Sequence, residues 1–329
     1  MAITKIKVEN LTVFEEMEMN VESNVNVIIG ENGTGKTHLL KFIYMTSNLG
    51  TVGLTASYSK RYFDRFAYEL LGGADSKNAS SEIFLQNEVR KYVIKDSDEL
   101  VERKSLLKDG QLDNSKQTLT FIPAKDMLTH SKGFLAMARE RKMPFDETLI
   151  DVVSKASIPE LREYPIFAKD ILPRLESIMD GIVVIENDEF FILKKDGRKV
   201  SFSVEAEGVK KIGLLWKLIM TGNIAKDAIL LWDEPEANMN PKLIPVLAEI
   251  ILELGRNGVQ IFLATHDDLL AEYLEYLTTE EDKVAYHALY HTDKGAQCET
   301  DKKFTLLEKN AIIDEKINLY RKEIAKGLE

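Results

Sequence analysis

Apolar positions follow two patterns along this chain. In Ile3-Thr4-Lys5-Ile6-Lys7-Val8 they alternate with polar ones, and residues 3–29 read as an antiparallel strand pair leading into a third strand. In Val25-Asn26-Val27-Ile28-Ile29, Ala228-Ile229-Leu230-Leu231-Trp232 and Val259-Gln260-Ile261-Phe262-Leu263-Ala264-Thr265 they run almost unbroken. Such runs predict strands covered on both faces, the usual setting of a parallel sheet. Residues 36–43, directly after the first run, have a helical pattern.

The stretch between the first two runs is far longer than one crossover helix requires, so an insertion is expected there. Tyr62, Phe63, Phe66, Tyr68, Leu70 and Leu71 predict an aromatic-rich helix stopped by Gly72-Gly73, and residues 74–81 are the most linker-like of the chain. From there to about residue 180 the pattern reads as mainly helical, including 132–143 and 146–156, with a short strand at 118–122. No heptads persist, which argues against a long coiled-coil arm. Residues 182–204 predict a meander turning at Glu186-Asn187-Asp188 and Asp196-Gly197. A strand pair near 284–290 and 303–307 and a helix near 311–326 complete the reading. The expected organisation is a head split between residues 1–50 and 181–329, with residues 51–180 inserted.

Composition narrows the class. A chain of 329 residues can bury a full core as one large domain or two smaller ones. Its single cysteine, Cys298, cannot form an internal disulfide and fits a reducing compartment. No apolar stretch has signal-peptide or membrane-span length, so the expectation is a soluble, cytoplasmic protein with no membrane partner. With 43 Lys and Arg against 54 Asp and Glu, the formal charge is −11 and a nucleic-acid face would have to be local. Arg139, Arg141 and Lys142, or Lys91, Lys95, Arg103, Lys104 and Lys108, are the candidates, and such clusters are more often a solvated face. Nucleic acid therefore stays possible without being indicated by charge.

The chemistry sits at the ends of the apolar runs. Gly30-Glu31-Asn32-Gly33-Thr34-Gly35-Lys36-Thr37 matches G-x-x-x-x-G-K-[ST] between a strand and a helix, the context a phosphate-binding loop needs. Its glycines let backbone amides converge on phosphate oxygens at a helix N-terminus, Lys36 supplies a mobile cation and the Thr37 hydroxyl one ligand for Mg²⁺. Residues 30–37 and His38 are the candidate nucleotide contacts. The second run ends in Asp233-Glu234, where Asp233 can hold the Mg²⁺ water shell and Glu234 can polarise an attacking water. Paired carboxylates alone are as easily a solvated turn; a phosphate loop in the same chain reverses that balance. The third run delivers His266, placed to hydrogen-bond a γ-phosphate or the attacking water.

These segments, Gly-Glu-Asn-Gly-Thr-Gly-Lys-Thr, Leu-Trp-Asp-Glu-Pro-Glu-Ala-Asn and Ala-Thr-His-Asp, resemble the ABC-type ATPases related to the structural-maintenance-of-chromosomes and RecF proteins. More narrowly they resemble the AAA-annotated ATP-binding proteins that bacteria encode beside antiphage or restriction effectors, including the overcoming-lysogenisation-defect and Septu ATPases. The resemblance is close over residues 1–45 and about 200–275. It implies an α/β P-loop NTPase head of the ABC type, with a mixed sheet and a mainly helical insertion, that binds ATP and Mg²⁺. It further implies Glu234 as catalytic base, His266 as switch histidine, and Ala237-Asn238 as a D-loop at a dimer interface. In such families a second subunit presents a signature serine and a helix N-terminus to the γ-phosphate. Here the matching segment is 204–211, including Ala206, Gly208 and Lys210, with Ala206 where the serine would stand and Glu207 in place of a glycine. No glutamine follows the strand at 118–122, where a Q-loop would carry one; Lys125 stands nearby.

The implied function is an ATPase that dimerises, or assembles further, on ATP and controls a separate effector such as a nuclease, in antiphage defence. Residues after His266 show no acidic triad or His/Asn pair for a nuclease of their own. Two alternatives remain at this stage: a repair or recombination ATPase acting directly on DNA, and a scaffold in which bound nucleotide is structural.

Overall fold

The computed structural model describes residues 2–47, 79–95, 98–106, 118–140 and 145–327. In chain order the elements are β1 (Ile3–Leu11), β2 (Phe14–Asn20), β3 (Val25–Gly30), α1 (Lys36–Ser47), β4 (Ala79–Leu85), β5 (Glu88–Lys95), β6 (Asp98–Ser105), β7 (Leu119–Ile122), α2 (Phe134–Glu140), α3 (Glu147–Ala156), α4 (Ile171–Met179), β8 (Gly181–Glu186), β9 (Glu189–Lys194), β10 (Lys199–Ser201), α5 (Glu207–Met220), β11 (Ile229–Asp233), α6 (Ile244–Arg256), β12 (Gln260–Ala264), α7 (Asp268–Leu277), β13 (Val284–Thr292), β14 (Gly295–Asp301) and α8 (Ala311–Gly327).

The three unbroken apolar runs become β3, β12 and β11, adjacent and parallel, with β13 on one side and β7 on the other. Side chains alternate between faces, so each strand feeds two cores. Leu230, Trp232, Ile261 and Leu263 join the cluster under α4, α5, α6 and α7, while Ile229, Leu231, Phe262 and Ala264 join the one under α1. The rest of the 11-stranded sheet is antiparallel, in the order β6-β5-β4-β1-β2-β14, and β14 pairs with β13 to close the series. A separate three-stranded sheet, β10-β9-β8, forms the expected meander, with its turn at Asn187-Asp188 in the left-handed region.

Three expectations about secondary structure fail. Residues 79–105, read as the start of a mainly helical insertion, form the β4-β5-β6 meander that extends the main sheet. Ala79, Ser80 and Ser81, read as linker, are buried in β4 beside β1. The partner of β13 is β14 at Gly295–Asp301, and 304–306 is a 3-10 turn rather than a strand. Helices do appear later, at α2, α3 and α4, and Asp146 caps α3 by accepting from Thr148 N. The aromatic segment 62–71, together with Arg141, Lys142 and Lys108, lies outside the described residues.

Two polar side chains hold the sheet together from within. Gln260 Oε1 accepts from Ile3 N at 2.8 Å and its Nε2 donates to Ile3 O at 2.9 Å, so a side-chain amide does for β1 what a neighbouring strand would. Asn26, the polar interruption of β3, donates from Nδ2 to Ser23 O and Ile261 O. Its Oδ1 must therefore accept from His287 Nε2, 3.2 Å away, which leaves His287 Nδ1 to accept from the Thr300 hydroxyl at 2.8 Å. This is a neutral imidazole, and burial pushes its pKa down to about 4. The unfolded chain takes up this proton near pH 6.5, so stability is complete above that value and falls as pH drops towards 4, by at most about 1.4 kcal/mol per pH unit. Chemical unfolding between pH 7 and pH 4 should therefore show a shallower loss for His287→Gln than for wild type; parallel curves would remove His287 from the acid response.

Candidate functional site

The loop after β3 turns back sharply before α1, with φ of +148° at Gly30, +83° at Gly33 and +92° at Gly35. A Cβ on Gly30 would lie 2.3 Å from Leu289 O, and one on Gly35 would lie 2.7 Å from the Phe14 ring. Both positions need glycine for conformation and for space. Glu31, Asn32 and Gly33 are exposed at the tip, while Thr34 is buried and donates to Glu31 O at 2.8 Å. Lys36 opens α1 and folds over the loop, its Nζ donating to Gly30 O at 2.7 Å and Glu31 O at 3.0 Å. Burial lowers its pKa against the pull of Glu234, Asp233 and Glu236. His38 faces Phe42 one turn further on, and burial, with Lys41 nearby, lowers its pKa.

The ends of β11 and β12 lie in the same place. Thr37 Oγ1 donates to both Asp233 oxygens, at 3.0 and 3.2 Å, across 196 positions of sequence. Asp233 is nearly out of water, and that burial raises its pKa more than the Thr37 hydrogen bond lowers it. Glu234 has left-handed backbone, φ +45°, which a side chain adopts only under constraint. The constraint is visible: Glu234 N donates to Ala264 O at 2.9 Å and Glu234 O accepts from Lys211 Nζ at 2.6 Å. Its carboxylate meets His266 Nδ1 at 3.3 Å. The glycine loop, Asp233, Glu234 and His266 thus lie together in the fold.

Three further residues belong to this arrangement and escaped the sequence reading. Glu236 is buried, accepts from Thr265 Oγ1 at 2.7 Å, and has Oε2 without a hydrogen-bond partner among the described residues. Burial raises its pKa. Thr265 accepts from Asp267 N at 2.9 Å and donates its own N–H to Ile28 O, so it fastens the histidine segment to β3 and to the carboxylate segment. Lys211, on α5, is buried, and desolvation lowers its pKa against the fields of Glu236, Glu234 and Asp233. Glu236 and Thr265 sit beside recognised motif positions, but only tertiary contact shows that they meet.

The segment matched to a signature loop starts α5. Ala206 is its N-cap and offers no side-chain hydrogen bond, so the helix begins with uncapped amides. Ala206, Gly208 and Asn238 line one open depression with Val209, Met239, Asn240 and Leu243. Asn238 has φ +61°. Gly208 packs on Met239, and Lys210 is buried, bound to Glu207 at 2.7 Å with Asp126 at 3.8 Å, so it offers no surface contact. Of the basic candidates, Lys91 pairs with Glu82, while Lys104 and Lys125 are exposed.

Thr37 and Asp233 supply a hydroxyl and a carboxylate, both hard oxygen donors; Lys36 and Lys41 act on the buried carboxylate through their fields, and among the described residues none forms an ion pair with it. That set suits Mg²⁺, which takes few protein ligands and keeps several waters. Among the described residues no group of three or more His, Cys, Asp or Glu side chains could cage a metal, and no helix is long and apolar enough to cross a membrane.

Residues 25–272 match the family described as "AAA domain, putative AbiEii toxin, Type IV TA system". The DNA replication and repair protein RecF of Bacillus mycoides (strain KBAB4) is 49% identical over 45 residues, and that of Bacillus thuringiensis (strain Al Hakam) 47%. Each match covers 14% of this chain and only 12% of the RecF protein. The fold is similar to the SMC head domain from Thermotoga maritima, with TM-score 0.52 and 13% identity over 91% of this chain and 98% of that one. It is also similar to an SMC head bound to the C-winged helix domain of ScpA, with TM-score 0.59 and 15% identity over 94% and 99%. The fold is thus that of an SMC head domain.

Removing the Thr265 hydroxyl would leave a buried Glu236 oxygen and Asp267 N without partners, at about 1–3 kcal/mol. Thr265→Val should therefore lower the midpoint of thermal unfolding; an unchanged midpoint would show that this hydroxyl fastens nothing.

Proposed function

The chain belongs to this AAA domain family of the AbiEii kind, and from that premise we propose that it is an ATPase that binds and slowly hydrolyses ATP and passes its nucleotide state to a partner protein. The observation that carries the reading is the meeting of Thr37 with Asp233, 3.0 Å apart, beside a lysine folded over a glycine loop. Lys36 would exchange the carbonyls of Gly30 and Glu31 for phosphate oxygens. A Mg²⁺ ion, when bound, would neutralise phosphate charge at Thr37 and Asp233. Glu234, its backbone fixed by Lys211, would take a proton from the water that attacks the γ-phosphorus, with ADP leaving. His266, within reach of Glu234, would orient that water.

The depression bearing Ala206, Gly208 and Asn238 supports a head-to-tail homodimer in which the α5 N-terminus of one copy faces the nucleotide of the other. With Ala206 in place of a serine, closure would rest on helix amides alone. The effector is proposed as a separate chain, a nuclease in antiphage defence being the leading case. Smc heads bound to ScpA offer a precedent for a head that carries a protein partner. A second reading, an ATPase that acts on DNA itself, draws on the RecF similarity and would appear as salt-sensitive DNA binding by the isolated protein.

Lys36→Ala should abolish ATP binding in calorimetry, since the residue is the loop's own cation; an unchanged affinity would refute the phosphate assignment. Glu234→Gln should keep ATP binding and lower hydrolysis by at least ~10²-fold, the usual scale for losing a general base. With ATP and Mg²⁺, at a concentration where the nucleotide-free chain is monomeric, light scattering should then show this variant as a dimer. Adding Ala206→Arg, an exposed position, should return it to monomer mass. A dimer indifferent to ATP and to Ala206→Arg would overturn the nucleotide-driven interface while leaving the ATPase reading intact.

A further inference from the structure

Helix α8 buries none of its residues fully, although it carries a regular apolar seam. Ile313, Ile317, Tyr320 and Ile324 are spaced four, three and four apart, the repeat of a two-helix coiled coil. Ile313 packs against the head, while Ile317, Tyr320 and Ile324 are 42%, 54% and 64% exposed, the exposure growing along the helix. Leu319, 53% exposed, lies on the other side of the helix and takes no part in the seam.

We propose that this seam pairs with the same helix of a second copy, antiparallel, without any need for nucleotide. Charge selects both the occupant and the direction. In an antiparallel pair Ile313 meets Ile324 of the other copy and Ile317 meets Tyr320, which brings Asp314 of each copy opposite Arg321 of the other, and Lys316 opposite Glu323. Both flanks then carry opposite charges. A parallel pair would set Lys316 beside Arg321 and repel. Lys316 already binds Glu272 at 2.6 Å and Asp268 at 3.1 Å within its own chain, so the two Asp314 to Arg321 contacts carry most of the selection. A seam of four apolar layers buries less than a stable dimer interface does, so the association is weak and concentration-dependent. It is separate from the ATP-closed head dimer and would hold two heads near each other between turnovers.

Sedimentation of the full chain without nucleotide, over a wide concentration range, tests the pairing. Wild type should pass from monomer to dimer. Ile317→Lys with Tyr320→Lys should weaken the association at least about tenfold. Arg321→Asp should weaken it by facing Asp314 with a like charge, and Asp314→Arg combined with Arg321→Asp should restore it. Circular dichroism should be unchanged in all of these variants, and ATP binding in those that keep Asp314, which lines a depression with Glu31. A monomer at every concentration, a dimer that needs ATP, or a charge swap that fails to rescue would each overturn the proposal.

Discussion

Charged side chains are costly to take out of water, and this fold takes out four in one place. Lys36, Lys211, Asp233 and Glu236 are all buried, and burial is the largest influence on each, lowering the lysines' affinity for protons and raising the carboxylates'. None could be held there singly; each is tolerated because the opposite charges lie close by. They come from α1, from α5 and from the end of β11 and the turn beyond it. The strands must therefore end together, and the register of β3, β12 and β11, fixed by side chains on both faces and by Gln260 and Asn26, brings that about. The two cores serve this alignment as much as they serve stability.

The same cluster links surface to chemistry. Lys211 lies one turn inside α5, the helix whose first turn lines the depression with Asn238, and it holds the carbonyl of Glu234. A partner surface pressed on Ala206 or Asn238 would act on the helix that fixes the proposed base. Glu236 and Thr265 tie the following turn to the histidine segment, so Glu234 and His266 are positioned by one set of contacts.

The strands that end at the proposed site were legible because parallel strands covered on both faces write themselves as unbroken apolar runs, and because the loop after β3 needs glycine at Gly30 and Gly35 for steric reasons. Residues 79–105 misled because their Glu, Lys and Arg content suits helix, while the alternation that makes them strands is carried by few side chains such as Ile83, Leu85 and Tyr92. β14 was misplaced because Gly295–Asp301 is polar and is held by its ladder to β13, whereas the apolar Phe304 and Leu307 just beyond it fill the core from a turn. Lys210 and Lys211 are adjacent in sequence and both buried, yet one is bound to Glu207 and the other to Glu234. No local pattern distinguishes them; only the packing of α5 against the carboxylate segment does.

The central claim is that these buried charges await a phosphate-bearing ligand and its cation, and thermal unfolding with ATP, in Mg²⁺ or in chelator, tests it most directly. A ligand bound only by the folded state at about 100 times its dissociation constant adds about 2.7 kcal/mol of stability. Wild type should melt higher with ATP and Mg²⁺ than with ATP alone, and Asp233→Asn should lose the increment that depends on Mg²⁺. A melting temperature that ATP and Mg²⁺ leave unchanged would contradict the account.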